Sequence, residues 1–247
     1  MEENKTSSTQ KRDWILPASI LIAALLVSVA LTYNAGKKDI SGNTQTAAAA
    51  PGGTVTPQKP TVGADDPQIG AANAPVTMIM YSDPSCPFCG AAEGGNQQVM
   101  TYLRSQDSSW EPSIPNIMKN YVDTGKVKIV YKYFPGHGTG EQAMKMLFCA
   151  NDQGKFWDLN DIIAKNQDIV SDASKVEDLA KSVGVDTNQL DTCLASKKYD
   201  DKLQKDFDSG KAAGVEGTPA FFINDTFVSG AVSYASMKNA IDAALGK

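Results

Sequence analysis

The first strong pattern in the chain is an uninterrupted apolar stretch near its start. Residues 14–36 contain no charged side chain, and residues 15–31 are nearly all aliphatic or small. In a helix that rises about 1.5 Å per residue, this stretch is long enough to cross a hydrocarbon core of roughly 30 Å. The pattern therefore predicts a transmembrane anchor over 14–36, with residues 1–13 as a short N-terminal segment before it.

The orientation of this anchor follows from the charges before it. Lys5, Lys11 and Arg12 precede the apolar stretch, and the positive-inside rule then favours a cytoplasmic N-terminus and an exported remainder. A cleaved signal peptide is the alternative, because Ser28-Val29-Ala30 has the small residues that signal peptidases accept. The length of the stretch favours the uncleaved anchor, and both interpretations place the rest of the chain outside the cytoplasm.

A change in composition follows the anchor. Residues 37–66 are rich in Ala, Gly, Thr and Pro and show no apolar periodicity, which is typical of a flexible linker. The folded domain is therefore expected over 67–247.

Strand-like and helix-like patterns alternate along this domain. An apolar run at 76–81 suits a buried strand, and the stretch from Cys89 to Leu103 suits a helix despite Gly94-Gly95. The later elements are a strand at 127–134, helical spacing over 139–213, strand-like sequence at 219–223 and 227–228, and a helix at 234–245. A βαβ half, a helical insertion and a ββα half together predict an α/β sandwich.

One segment of the domain has no clear pattern. Residues 104–120 contain Trp110, Pro112 and Pro115 and lie between the first predicted helix and the second strand. The sequence assigns it no function, and a surface lid is the one role considered.

The charge balance limits the partners of the exported part. Residues 1–38 contain five of the 23 basic and three of the 28 acidic side chains, so the remainder has a net charge of −7. A surface of this sign repels nucleic acid and anionic lipid head groups, so neither is an expected partner.

The candidate chemistry lies in Cys86-Pro87-Phe88-Cys89, directly after a turn-rich segment. A cysteine at the first turn of a helix meets unpaired backbone N–H groups and the positive end of the helix dipole, so its thiolate is stabilised and its pKa falls. Pro87 suits the first helical position. We expect Cys86 to be an exposed nucleophile and Cys89, one turn further on, a buried resolving thiol.

A structural zinc site and a non-enzymatic metal carrier, for example of copper, are the alternatives for this cysteine pair. Zinc needs about four ligands, whereas the chain has no second Cys-x-x-Cys and His137 is its only histidine. We assign no role to His137, which lies in a glycine-rich loop. The sequence therefore predicts no metal and no cofactor besides the redox-active pair itself.

Taken together, several motifs of the domain resemble the DsbA-like proteins of the thioredoxin superfamily. The matching stretches are residues 65–70, 74–76, 82–89, 121–127, 149–157 and 214–222. The resemblance implies a thioredoxin fold with an inserted helical subdomain and the activity of a thiol-disulfide oxidoreductase. It also implies that Pro219 is a cis-proline beside the active site and that Thr218 offers its backbone to a bound substrate.

Two positions depart from the pattern of this family. Many relatives have an acidic residue six positions before the first active-site cysteine, which is thought to assist proton transfer at the buried thiol, but here that position is Met80. Phe88 replaces the histidine of the most oxidising members, which removes one donor to the Cys86 thiolate. We therefore expect an intermediate potential, on the order of −150 to −230 mV.

The two remaining cysteines, Cys149 and Cys193, both lie in the predicted helical insertion. In an oxidising compartment such a pair suggests a structural disulfide, which the loop-entropy model values at roughly 4 kcal/mol. The alternative is two separately buried thiols.

The sequence thus predicts an extracytoplasmic, single-pass membrane protein that introduces disulfides into exported proteins with free thiols. A membrane redox partner is expected to reoxidise it. A tethered reductase or isomerase, a copper carrier and glutaredoxin-like chemistry are the competing interpretations. The export signal and the helical insertion argue against the glutaredoxin-like one.

Overall fold

The computed structural model describes residues 58–136 and 138–246. The expected anchor at 14–36, most of the expected linker and His137 lie outside these residues. Within the described part of the chain, every helix is too short or too polar to cross a membrane.

A mixed five-stranded sheet forms the centre of the described domain, with strand order β1-β3-β2-β4-β5. Its central pair, β2 and β3, is parallel, and the other neighbouring strands are antiparallel. The strands are β1 (Gln68–Ile69), β2 (Val76–Ser82), β3 (Val127–Tyr133), β4 (Ala220–Ile223) and β5 (Thr226–Ser229).

The central strand β2 is apolar along its length because both of its faces are covered. Met78 and Met80 point into the larger hydrophobic core, on the side of the helical insertion. Ile79 and Tyr81 point to the opposite side, where a second cluster packs. This two-sided burial explains why the sequence shows a continuous apolar run instead of a strict alternation.

Helices cover the sheet and follow the predicted order. Those outside the insertion are α1 (Pro87–Ala92), α2 (Gln97–Gln106), α3 (Ser113–Ile117) with a π-helical turn at Met118–Val122, and α9 (Tyr234–Ala244). The insertion contains α4 (Glu141–Asn151), α5 (Phe156–Ala164), a 3₁₀ turn at Gln167–Ile169, α6 (Ala173–Ser182), α7 (Thr187–Ala195) and α8 (Asp200–Ala212). The predicted α/β sandwich with a helical insertion is therefore confirmed.

The helix expected from Cys89 to Leu103 is in fact two helices. Gly94 has φ +81°, a backbone conformation that ends α1. A Cβ at Gly95 would lie 2.1 Å from the carbonyl oxygen of Ala164, so the chain passes α5 too closely for any side chain. Asn96 then starts α2, because its side chain accepts a hydrogen bond from the backbone N–H of Val99 at 3.0 Å.

A surface lid over all of 104–120 is contradicted by residues 110–117, which contribute side chains to the core, whereas 104–109 are exposed. Trp110, Ile114 and Ile117 are all buried. The Trp110 indole N–H donates to the carbonyl oxygen of Ala231 at 3.0 Å. The prolines in this segment interrupt the helical periodicity, which hides its apolar face from a pattern search.

The folded domain begins earlier than the expected boundary at residue 67. The backbone N–H of Gln58 donates to the carbonyl oxygen of Ala212 at 3.0 Å. Asp66 is buried between Lys132 and Lys202, and both lysines also pair with Asp206. Burial raises the pKa of Asp66, but the hydrogen bonds from the two lysines outweigh it and hold that pKa below its usual value. The charge partners that fix Asp66 are far away in sequence, so composition alone placed it in the linker.

Candidate active site

The sequence Cys86-Pro87-Phe88-Cys89 lies where the chain leaves the central strand and enters α1. Asp83 shapes the turn between them, because its Oδ1 accepts hydrogen bonds from the backbone N–H and the hydroxyl of Ser85 at 2.8 and 2.7 Å. Cys86 is the N-cap of α1, and Pro87 occupies the start of the helix. The leading cysteine thus lies where unpaired backbone N–H groups favour an anion.

The expectation that Cys86 is exposed is wrong, since only 1% of this residue is accessible to solvent. Its Sγ donates to the backbone carbonyl oxygen of Thr218 at 3.3 Å, and the Thr218–Pro219 peptide bond is cis. The segment at Gly136 also lies close by, because a Cβ built there would be 3.6 Å from the Cβ of Cys86. Two loops distant in sequence therefore cover the thiol, and neither contact is visible in the local motif.

Cys89 lies three residues further along α1 and is also buried. Removal from water raises the pKa of the Cys89 thiol. The hydrogen bond with Cys86, and the negative charge of Cys86 when it is ionised, raise that pKa further. The Ser82 hydroxyl acts in the opposite direction by hydrogen bonding to Cys89. Both active-site cysteines are thiols in this structure. Cys89 is therefore held in its protonated form until its surroundings change.

The position that carries an acid in many relatives is occupied here by Met80, which is buried in the core. A carboxyl group approaches the site from another element instead. Glu93 lies one helical turn after Cys89, and its Oε1 accepts a hydrogen bond from the Ser82 hydroxyl at 3.2 Å. Its Oε2 accepts from the Asn160 side-chain amide at 2.6 Å.

The surroundings of Glu93 change its acidity. Loss of water around the carboxyl raises the pKa of Glu93 to about 7, and the negative charge of Cys86 adds to this effect. The hydrogen bonds from Asn160 and Ser82 lower it only in part. Sequence patterns alone did not single out this residue. The available signal was its spacing of four positions from Cys89, which places both side chains on one face of a helix.

Gln167, in the 3₁₀ turn of the insertion, was also missed from sequence. Its side-chain amide donates to the carbonyl oxygens of Cys86 and Pro84 at 2.8 and 3.0 Å. Its Oε1 accepts from the Asn96 side chain at 2.9 Å. A Cβ at Gly90 would lie 2.2 Å from that same oxygen, so only glycine lets Gln167 approach α1 this closely. The helical insertion therefore contacts the active-site backbone directly.

Phe88 is the solvent-facing member of the motif. It is 40% exposed, whereas both neighbouring cysteines are buried. The accessible surface at this site is therefore apolar and lies beside the covered Cys86.

Cys149 and Cys193 lie in the insertion, on α4 and α7, and are joined by a disulfide. Cys149 is buried in the main core, and Cys193 packs against that core from its edge. This disulfide is separate from the Cys86–Cys89 pair. Across residues 58–136 and 138–246, no group of three or more His, Cys, Asp or Glu side chains is arranged to hold a metal ion.

A family model described as Thioredoxin matches residues 63–103 and 108–243. The match includes the motif at 86–89, the helical insertion and the Thr218–Pro219 turn. Between residues 63 and 243 it leaves out only 104–107, at the end of α2.

Curated relatives include proteins of very different length. The Na(+)/H(+) antiporter NhaA 3 of Salinispora tropica is 27% identical over 158 residues, which are 63% of this chain but only 21% of the antiporter. The probable disulfide bond formation protein D of Bacillus cereus is 28% identical over 194 residues, which cover 72% of this chain and 78% of that protein. The chain thus spans about a fifth of the antiporter and most of the Bacillus protein.

Among solved structures, oxidised BdbD from Bacillus subtilis superimposes with a TM-score of 0.62 at 22% sequence identity. The superposition covers 76% of this chain and 96% of that one. The two proteins share a fold.

Proposed function

The chain belongs to the thioredoxin family, and from this premise we propose that it is a protein thiol–disulfide oxidoreductase that introduces disulfides into exported proteins through Cys86 and Cys89. The name of the Bacillus cereus relative supports this proposal. The observation that carries it is the unequal placement of the two thiols. Cys86 caps a helix and touches the Thr218 carbonyl, whereas burial and the neighbouring Cys86 keep Cys89 protonated.

The different surroundings of the two thiols assign each of them a separate step in the reaction. In the oxidised protein, a substrate thiolate attacks the Cys86 sulfur, and the Cys86–Cys89 bond breaks with Cys89 as the leaving group. A second substrate thiolate then attacks the substrate sulfur of the mixed disulfide. The substrate leaves with a new disulfide, and both cysteines become thiols. The two electrons pass only between sulfur atoms, so the proposed reaction needs no metal and no further cofactor.

The site also suits the docking of an unfolded chain. The Thr218 backbone lies directly beside Cys86, and Phe88 adds exposed apolar surface next to it. A substrate segment that pairs with the backbone at Thr218 would replace the hydrogen bond between Cys86 and the Thr218 carbonyl. A bound substrate would therefore displace the contact that shields Cys86 from solvent.

The direction we favour is oxidation, with a membrane redox partner that restores the Cys86–Cys89 disulfide after each turnover. A helix N-terminus stabilises the Cys86 thiolate, and a stable thiolate favours the reduced form of the protein and so makes the disulfide a better oxidant. A tethered reductase or isomerase uses the same steps in reverse.

We place the domain outside the cytoplasm, held to the membrane by the apolar stretch at 14–36. The uncharged length of that stretch and the basic residues before it support this placement. Alkaline carbonate extraction of cells expressing the full chain provides the test. The chain should stay with the membrane, and added protease should degrade the domain in spheroplasts without lysis. Release of a shortened chain into the medium would indicate a cleaved signal peptide instead.

The activity is tested with two matched variants that each lack one thiol. Oxidised wild-type protein should oxidise a reduced, unfolded substrate with two thiols, and Cys86→Ser should not. Reduced Cys89→Ser, offered the same substrate in its oxidised form, should remain attached to it through Cys86, because Cys86 attacks the substrate disulfide and the protein then lacks the second thiol that resolves the mixed disulfide. Mass spectrometry after an acid quench distinguishes these species. Full two-thiol activity of Cys89→Ser, or mixed disulfides on Cys89 in Cys86→Ser, would reverse the assigned roles.

A further inference from the structure

Asp83 is a fully buried acidic residue in the turn between β2 and α1. The steps above move electrons between sulfur atoms and give this carboxyl group no part. A buried carboxylate costs free energy unless hydrogen-bond donors surround it. The groups that hold Asp83 therefore indicate what the residue does.

The two oxygens of the Asp83 carboxylate bind two separate segments of the chain. Oδ1 accepts hydrogen bonds from the backbone N–H and the hydroxyl of Ser85 at 2.8 and 2.7 Å. Oδ2 accepts from the backbone N–H of Gly136 at 2.6 Å, 53 positions further along the chain. One carboxylate thus ties the active-site turn to the segment that follows β3.

The backbone of Gly136 lies against both residues that meet at the active site. A Cβ built on Gly136 would be 3.6 Å from the Cβ of Cys86 and 2.5 Å from the Thr218 hydroxyl oxygen. Thr218 is the residue whose carbonyl accepts the hydrogen bond from Cys86, which is itself only 1% exposed. The bond from Gly136 to Asp83 therefore keeps the Gly136 backbone against the residue that carries the reactive thiol.

Gly140 packs against the same carboxylate from the start of α4. A Cβ on Gly140 would overlap Asp83 Oδ1. The backbone angles of Gly140 are φ −86° and ψ −10°, which other residues also adopt. This position thus requires glycine because of its contact with Asp83, and not because of its backbone conformation.

From these contacts we propose that Asp83 is a positioning residue that holds the Gly136 backbone against Cys86, and that this makes Cys86 react preferentially with polypeptide thiols. The inference rests on the proposed oxidoreductase function and concerns the substrates of the same site. A thiol must displace Gly136 to reach the Cys86 sulfur. A polypeptide segment gains backbone hydrogen bonds at Thr218 in return, whereas a small thiol such as 2-mercaptoethanol gains none. The free-energy cost of opening the site therefore slows small thiols most.

The arrangement needs a carboxylate and not an amide. Asp83 presents acceptor oxygens to Ser85 on one side and to Gly136 on the other. Asparagine has one acceptor oxygen and one donor NH₂ group, so in either orientation its NH₂ group would face a backbone N–H. Because Ser85 supplies two donors, the oxygen of Asp83→Asn is expected to stay with Ser85, and the bond to Gly136 is lost. Gly140→Ala disturbs the same contact without changing the charge.

The experiment measures how easily reagents of different size reach the Cys86 sulfur. Reduced protein is alkylated with iodoacetamide from about pH 5 to about pH 9, where the Cys86 thiolate displaces iodide, and mass mapping gives an apparent Cys86 pKa and a plateau rate. Oxidised protein is then reduced with 2-mercaptoethanol and, separately, with an unfolded polypeptide that contains two thiols. The variants are Asp83→Asn and Gly140→Ala, with Asp123→Asn as a control at an exposed position.

Both variants should raise the plateau rate of alkylation and the rate with 2-mercaptoethanol by about tenfold, as expected for loss of a hydrogen bond to a charged group. Their rates with the polypeptide should change by less than about threefold, because the polypeptide compensates for the displacement of Gly136 in the wild type as well. Asp123→Asn should match the wild type throughout. Retained activity toward the polypeptide shows that each variant is folded.

Three results would overturn the inference. The first is an unchanged plateau rate in either variant, including a shift of the apparent Cys86 pKa alone in Asp83→Asn, which would mean that Asp83 acts only through its charge. The second is equal acceleration with 2-mercaptoethanol and the polypeptide, and the third is loss of activity toward the polypeptide in both variants. If wild-type protein failed to oxidise the polypeptide, the proposed function would fail instead, whereas the alkylation rates would still report on the contact between Asp83 and Gly136.

Discussion

The side-chain amide of Gln167 donates a hydrogen bond to the backbone carbonyl of Cys86 at 2.8 Å, which joins the helical insertion to the first residue of the active-site helix. The same amide holds the carbonyl of Pro84. Gln167 and Cys86 are 81 positions apart in the chain. The insertion is therefore part of the active site and not only a structural addition to the sheet.

Replacing Gln167 with alanine should disturb the active-site turn. The Cys86 carbonyl keeps the backbone N–H of Gly90 as a donor, but the Pro84 carbonyl loses the Gln167 amide, and an unsatisfied buried carbonyl costs about 1–3 kcal/mol. We expect Gln167→Ala to lower the free energy of unfolding by this amount and to shift the Cys86–Cys89 potential to a more negative value, since a loosened helix start stabilises the thiolate less. Urea unfolding and glutathione equilibration measure the two effects. Gln97→Ala, at an exposed position of α2, is the control. A potential unchanged within error would show that Gln167 only stabilises the fold.

Phe88 should set the potential of the site. An imidazole at this position can donate a hydrogen bond to the Cys86 thiolate and, when protonated, adds an opposite charge. Phe88→His should therefore lower the Cys86 pKa and make the disulfide a stronger oxidant. A shift of 30 mV corresponds to about 1.4 kcal/mol for this two-electron couple, which a glutathione equilibrium resolves.

Phe227→His provides a matched control, because Phe227 is 44% exposed and lies on strand β5, not on the active-site helix. It should leave the potential unchanged. If Phe88→His left the potential unchanged or made it more negative, position 88 would not control the thiolate, and the preference for oxidation would lose a main support.

The raised pKa of Glu93 also predicts how stability depends on pH. Folding raises this pKa from 4.5 to about 7, so the folded protein binds the Glu93 proton more tightly than the unfolded chain does. The stabilisation from that proton is complete below about pH 4.5 and is lost as pH rises through 7. Glu93→Gln removes this loss, so between pH 4.5 and pH 8 it should gain on the order of 2–3 kcal/mol relative to wild type.

Denaturant unfolding of wild type, Glu93→Gln and the exposed control Glu111→Gln across this pH range measures the effect. The difference between wild type and Glu93→Gln should grow with pH, whereas the control should stay parallel to wild type. Parallel curves for all three proteins would mean that the Glu93 pKa is not raised in the folded protein.

The Cys149–Cys193 disulfide should be structural. It closes a loop with a sequence separation of 44, for which the loop-entropy model gives about 4 kcal/mol. We expect it to survive mild reduction that opens Cys86–Cys89, because structural disulfides generally have lower potentials than catalytic ones. Stepwise reduction, alkylation and peptide mapping distinguish the two pairs. Alkylation of Cys149 and Cys193 before Cys86 and Cys89 would contradict this assignment.

The features that the sequence predicted are local ones. The buried strand predicted at 76–81, the helix that starts at Cys86-Pro87 and the change to helical spacing after residue 139 each follow from a pattern within a few neighbouring residues. The cysteine motif and its position after a strand indicated the chemistry for the same reason.

The features that the sequence did not predict depend on distant contacts. Asn160 and Gln167 reach the active site from the insertion. The position of Thr218 beside Cys86 was expected only from the family resemblance and not from any local pattern. Asp66 was placed in the linker because its lysine partners lie far along the chain. No local periodicity in the sequence indicates such contacts, since each joins elements that are far apart in the chain.

A single turnover with counted thiols tests most directly whether Cys86 and Cys89 oxidise a substrate. Protein with the Cys86–Cys89 disulfide formed is mixed with an equal amount of a reduced, unfolded substrate that contains two cysteines, and all free thiols are alkylated after an acid quench and mapped. We expect the substrate to lose both of its thiols while Cys86 and Cys89 each gain one, with Cys149–Cys193 intact. A substrate that keeps its thiols, or new thiols that appear at Cys149 and Cys193 instead, would contradict the proposed function.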